Sequence, residues 1–153
     1  MTNILAIDPG GVTTGIVMIH AGDDAPARVV SSWSLDGSIS SYLTWWNSMI
    51  FDGVDVLVCE QFVSRNVRGA DLSPLRLQGA IEVLAMDAGL DVALQPAGGK
   101  DSAVTDAAMT RVGITKRMFV GDNHDDRYQA ARHGLWYLKR TKHLPTLNAM
   151  YPR

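Results

Sequence analysis

The chain has almost no cysteine. A single residue, Cys59, among 153 excludes an internal disulfide and a cysteine-built zinc site, and fits a reduced, cytosolic setting. Long hydrophobic runs are missing as well: no apolar stretch approaches the ~18 residues of a membrane span. The start, Met1-Thr2-Asn3-Ile4-Leu5-Ala6-Ile7-Asp8, lacks a basic region followed by an apolar stretch. Neither a signal peptide nor a membrane partner is expected. Net charge is small, formally −2, which argues against a general nucleic-acid coat. Internal repeats, low-complexity tracts and a Gly-Lys-Ser/Thr phosphate loop are also lacking. What is present is 46% hydrophobic and 20% charged residues. That length and composition suit one folded domain, residues 1–153, rather than a disordered chain.

Charge is unevenly spread. Residues 1–60 carry one base, Arg28, against seven acids, whereas residues 61–153 carry thirteen bases against nine acids. Eight of those bases fall within 111–142: Arg111, Lys116, Arg117, Arg127, Arg132, Lys139, Arg140 and Lys142. A basic face on an acidic body can bind a phosphate backbone while the acids act locally. Ordinary solvated helix faces give the same pattern.

The periodicity predicts strands over Ile4–Asp8, Gly15–His20 and Arg28–Leu35, close enough for an antiparallel meander. Ser38 caps a helix with apolar positions Tyr42, Leu43, Trp46, Met49 and Ile50, stopped by Asp52-Gly53. Trp45 and Trp46 read as the core and rim of that helix. Val54–Cys59 is a central strand ending at Glu60, with Cys59 as buried filler on the opposite side. A loop over 61–74 leads to a helix over Leu75–Ala88. A fifth strand, Leu90–Leu94, and helices over Asp101–Arg111 and about Asn123–Arg140 complete the chain. A meander followed by alternating units predicts an α/β domain with a five-stranded mixed sheet flanked by helices.

Asp8 and Glu60 each end a strand, where sites form in α/β sheets. They meet if their strands are neighbours. A third acidic group, Asp122, Asp125 and Asp126, opens the last helix, where capping and the macrodipole alone favour acids. A wheel at ~100° per residue puts Asp126 beside the core edge, Asp122 next and Asp125 on the far side. Asp122, Asp126, Gln129 and His133 form one polar stripe. Which of the three aspartates acts as a ligand stays open. Carboxylates from separate elements suit hard divalent cations, Mg²⁺ or Mn²⁺. Two such ions about 4 Å apart activate a water and stabilise the leaving oxygen of a phosphodiester.

Other residues suit a nucleic-acid substrate. The turn Asp8-Pro9-Gly10-Gly11-Val12-Thr13-Thr14-Gly15 offers backbone N–H groups and the Thr13 and Thr14 hydroxyls to phosphate, although a hairpin turn has the same composition. Lys100, in the loop Gly98-Gly99-Lys100-Asp101, can meet a scissile phosphate. Phe62 can stack on a base or join the core. His124 and His133 are candidate metal ligands or proton carriers. Arg65, Arg68, Lys116, Arg117, Arg132 and Lys139 are candidate phosphate contacts with salt-sensitive effects.

Ile4-Leu5-Ala6-Ile7-Asp8-Pro9-Gly10 with Thr14-Gly15 resembles the first motif of RuvC-type Holliday junction resolvases. Val58-Cys59-Glu60-Gln61-Phe62 resembles their second motif. Lys100-Asp101-Ser102-Ala103-Val104 resembles the stretch carrying a functional lysine, and the Asp-rich last helix with Ala130-Ala131-Arg132-His133 resembles the last motif. The short chain is similar to the phage-encoded branch, which implies the host cytoplasm. The resemblance implies a ribonuclease H-like fold and a homodimer on branched DNA, each subunit nicking one strand by Mg²⁺-dependent water attack. Carried over, Asp8 and Glu60 are metal ligands, Lys100 meets the phosphate and Phe62 probes the junction. Asp122 and Asp125 have the spacing of the last motif, and so do Asp126 and Gln129; both alignments stand. The short connection before Lys100 leaves room for a looser flap or branch nuclease. An RNA-processing nuclease of the same fold (YqgF type) and a non-catalytic junction-binding module are the alternatives.

Overall fold

The computed structural model describes residues 1–62, 72–96, 98–119 and 125–152. Five strands, β1 (Thr2–Asp8), β2 (Thr13–Ala21), β3 (Arg28–Asp36), β4 (Val56–Gln61) and β5 (Asp91–Pro96), form one sheet in the order β3-β2-β1-β4-β5. The first three strands pair antiparallel, and β4 and β5 continue the sheet parallel to β1. The helices are α1 (Ile39–Ser48), α2 (Ser73–Asp87), α3 (Lys100–Ala103), α4 (Asp106–Arg111), α5 (Asp126–Arg140) and α6 (Leu144–Met150). A 3₁₀ turn spans Lys116–Phe119. No helix among the described residues is long and apolar enough to cross a membrane.

Strand alternation divides the core into two layers. Ile4, Ala6, Val17, Ile19, Val56 and Val58 face α4, α5 and α6. Leu5, Ile7, Ile16, Leu57 and Cys59 face α1 and α2. Cys59 is buried as expected. Asp8, Glu60 and Gln95 follow the parity of Ala6, Val58 and Ala93, so all three belong to the α5 face.

Local chemistry explains the helix ends. The Ser38 hydroxyl accepts from the Ser41 N–H and opens α1. That helix ends at Ser48, earlier than its apolar pattern suggests, and Ile50 is 79% exposed. Trp45 and Trp46 are instead buried, stacked around Tyr42 and Phe51. The helix expected over Asp101–Arg111 is two pieces. Thr105 takes an extended conformation and accepts from the Ala108 N–H, starting α4 afresh. The last long helix begins, among the described residues, at Asp126. It is followed by α6, which the sequence reading did not include.

Gly134 marks where α5 crosses the sheet. A Cβ there would lie 2.4 Å from Ile19 Cδ1 and 3.4 Å from Ala6 Cβ. The tight contact is the mobile end of an isoleucine, and alanine is the better helix former by about 1 kcal/mol. Gly134→Ala is therefore expected to change unfolding free energy by no more than about 1 kcal/mol, measured by urea denaturation.

Candidate active site

Three strand ends and one helix converge at the site. Ile7 pairs with Cys59, so Asp8 and Glu60 emerge side by side from parallel neighbours, and Glu60 pairs in turn with Gln95. Above them lies α5, which brings His133. One donor atom each from Asp8, Glu60 and His133 lie within 4.8 Å of one another. Lys100 completes the cluster from the first turn of α3. Gly99, at φ 91°, supplies the left-handed residue that turns the chain into that helix.

Lys100 Nζ lies 2.5 Å from Glu60 Oε2 and 3.7 Å from Asp8 Oδ1. His133 Nε2 lies 2.8 Å from the same Glu60 oxygen. Burial pushes the Asp8 carboxyl up to about 8, the charges of Glu60 and Asp126 add to that, and Lys100 opposes it. Burial acts the same way on Glu60, but hydrogen bonds from His133 and Lys100, with the Lys100 charge, outweigh it and hold Glu60 down at about 2. Of the two coupled carboxyls, burial therefore favours the protonated form at Asp8, while the partners of Glu60 favour its charged form. Burial pushes His133 below its usual value, against the pull of Glu60.

These residues fit a divalent cation. Two carboxyl groups from adjacent strands, 15% and 19% exposed, lie beside one ammonium group, which is held by Glu60 and approaches Asp8. Lys100 Nζ approaches oxygens of both side chains, and oxygen donors of this kind suit hard ions.

The last-helix aspartates divide. Asp126 accepts a short hydrogen bond from Thr13 Oγ1, which ties α5 to the start of β2, and its charge acts on Asp8. Asp125 faces away, 3.5 Å from Lys116 Nζ and 2.9 Å from Gln129 Nε2. Asp122, His124, Arg65 and Arg68 lie outside the described residues. Phe62 is half-buried, its N–H donating to Gln78 Oε1 at 2.7 Å.

Several of the bases work inside the fold. Arg132 is 4% exposed, paired with both Asp101 and Asp106 and stacked on Tyr128. Arg127 donates to the Phe119 carbonyl, Arg111 to the Met150 carbonyl and Lys139 to the Ala103 carbonyl. Thr14 is fully buried. Neither Arg132 nor Thr14 has a face turned to solvent. Arg117, Arg140 and Lys142 are exposed.

Gln95 was not among the residues singled out from the sequence, and its partners show why it matters. Its amide bridges the His133 ring and the backbone of α5. The available signal was its place in β5, two residues beyond Ala93 on the face that carries Glu60. His133 was a candidate on its polar stripe, but nothing in the sequence named Glu60 as its partner.

The fold is the ribonuclease H-like architecture of Holliday junction resolvases. The structure is similar to Thermus thermophilus RuvC in complex with Holliday junction substrate (TM-score 0.71, 14% identity, 94% of this chain and 98% of that one). It is also similar to the fowlpox virus Holliday junction resolvase, with a TM-score of 0.65 and 12% identity over 92% of this chain and 99% of that one. No family model matches the sequence, and no curated protein matches it.

Proposed function

We propose that the chain is a metal-dependent, structure-selective DNA endonuclease that cuts four-way junctions or related branched DNA. The observation that carries this reading is the pairing of Asp8 and Glu60 on adjacent parallel strands beside a half-buried ammonium group, Lys100 Nζ. The fold it shares with junction resolvases supports the substrate class.

In this reading Mg²⁺ or Mn²⁺, two ions per site, would be held by Asp8, Glu60 and either Asp126 or Asp122. The ions supply Lewis acidity toward the attacking water and the leaving oxygen of the phosphodiester. Asp8 gives up its proton to take part. Lys100, once released from the carboxylates, offers its ammonium to the phosphate. Thr13 holds Asp126 against the sheet. Lys116, Arg117, Arg65, Arg68 and Phe62 are the proposed DNA contacts, and two copies of the chain, one per nicked strand, are the proposed assembly in the cytoplasm of the cell or phage host.

The test is incubation of a labelled four-way DNA junction and a matched linear duplex with Mg²⁺ or Mn²⁺. Paired nicks near the branch, absent from the duplex, are expected. Cleavage of RNA without cleavage of branched DNA would replace this reading with an RNA-processing nuclease. Tight junction binding without cleavage in either metal would make the protein a binding module.

A further inference from the structure

Gln95 and His133 are fully buried, and the backbone of α5 dictates how they meet. The His133 carbonyl can only accept a hydrogen bond, and the Tyr137 N–H can only donate one. With the Gln95 amide nitrogen 3.2 Å from that carbonyl and its oxygen 3.1 Å from that N–H, only one orientation of the amide matches the polarity of both groups. The same nitrogen then donates to His133 Nδ1 at 3.0 Å. Nδ1 must present its lone pair to an amide N–H, so the proton of the neutral ring is on Nε2. Nε2 lies 2.8 Å from Glu60 Oε2. An Nε2–H directed at a carboxylate has no lone pair left for a cation.

We infer that Gln95 fixes His133 as an Nε2–H donor, and that His133 is a positioning residue which orients the Glu60 carboxylate rather than a metal ligand. The register supports this. Glu60 and Gln95 are direct partners across β4 and β5, so one ring on α5 reaches both. His133 and Lys100 converge on the same Glu60 oxygen, which pins the side chain in one rotamer before any cation or DNA arrives. Its neighbour Arg132 pairs with Asp101, the residue after Lys100. Two consecutive residues of α5 thus hold both members of the Lys100–Glu60 pair. The consequence for catalysis rests on the metal-dependent reading above; the tautomer does not.

The decisive measurement is a long-range ¹H–¹⁵N correlation spectrum of the metal-free protein labelled with ¹⁵N-histidine, with the His133 signal assigned through His133→Gln. The Nε2–H tautomer is expected, and an Nδ1–H tautomer would overturn the inference. Gln95→Leu removes the amide donor and is expected to let the Nδ1–H form appear; an unchanged tautomer would remove Gln95 from the arrangement. Pulsed electron paramagnetic resonance of bound Mn²⁺ is expected to show no directly coordinated histidine nitrogen, and such a coupling would make His133 a ligand. Wild-type protein that binds no Mn²⁺ would sink the metal site while the tautomer still decides the role of Gln95. In junction cleavage, His133→Leu is expected to lower kcat by roughly 10–100-fold with KM for DNA unchanged. His133→Gln, whose side-chain amide can supply the same N–H, is expected to recover most of the rate. Equal losses in both variants would reduce His133 to a packing role.

Discussion

Asp8→Asn is expected to abolish cleavage of a four-way junction while making the metal-free protein more stable. In the proposed reading Asp8 is a shared carboxylate ligand, and its loss would remove several kcal/mol of transition-state stabilisation, about 10³-fold or more in rate. The gain in stability comes from the same carboxyl. Its value of about 8 in the folded protein lies well above the ordinary 3.8. Between those values the folded chain binds a proton that the unfolded chain does not, so stability falls as pH rises. The penalty is absent below pH ~4 and complete above about 8. Asparagine keeps the shape without the penalty. The variant is expected to be more stable at pH 8 by on the order of 2 kcal/mol, shrinking toward zero near pH 4. Urea denaturation across that range, with chelator present, measures it. Adding Mn²⁺ should raise the wild-type midpoint and leave Asp8→Asn unchanged. Binding should weaken as pH falls below about 8, because each ion then displaces a proton. A variant no more stable than wild type at pH 8, and still active, would show that Asp8 is neither strained nor a ligand.

The second large effect is expected from a single methyl group. A Cβ on Gly15 would lie 2.2 Å from the Asp126 carbonyl carbon, 2.3 Å from its oxygen and 2.4 Å from the Arg127 nitrogen. All three are backbone, so no side-chain rotation relieves the clash. Gly15→Ala must push the start of α5 off β2, stretch the Thr13–Asp126 bond and tilt the helix that carries His133. A loss of about 3 kcal/mol is expected, with junction cleavage falling more than duplex affinity. Gly134→Ala, on the same helix, meets a movable isoleucine tip and serves as the control. Equal stability of the two variants in urea would refute the close approach.

The comparison of these glycines shows what a linear reading can reach. Asp8 and Glu60 were legible because each follows an apolar strand, and such a strand delivers its last residue to a known edge of the sheet. The parallel β1–β4 pairing that brings them together was only a condition of that reading, and the structure supplies it. Gly15 read as the end of a glycine turn and the start of a strand; the close approach it permits is made by a helix more than a hundred residues away. The stripe of Asp126, Gln129 and His133 was visible on a helical wheel, yet Thr13 and Glu60, the partners of Asp126 and His133, are supplied by tertiary packing. Arg132 looked like a phosphate contact because charge alone does not reveal its two internal aspartates. The break at Thr105 passed unnoticed for want of a glycine or proline, although threonine is a good N-cap. Helix α6 is short, and its signal was Pro145 in the first turn.

The alternation that divides the core also determines which changes in chain length the protein can absorb. Asp8, Glu60 and Gln95 reach α5 because each is an even number of residues beyond a buried partner on that face. One residue inserted or deleted between Val56 and Glu60 would exchange Glu60 with Cys59, turning a thiol toward Asp8 and a carboxylate into the aromatic layer beneath. Extra residues in the exposed turn around Asp23 and Asp24 add only a little closure entropy. Divergence by lengthening is therefore open to the turns and closed to β1, β4 and β5, whose lengths act as a reading frame for the clustered polar side chains.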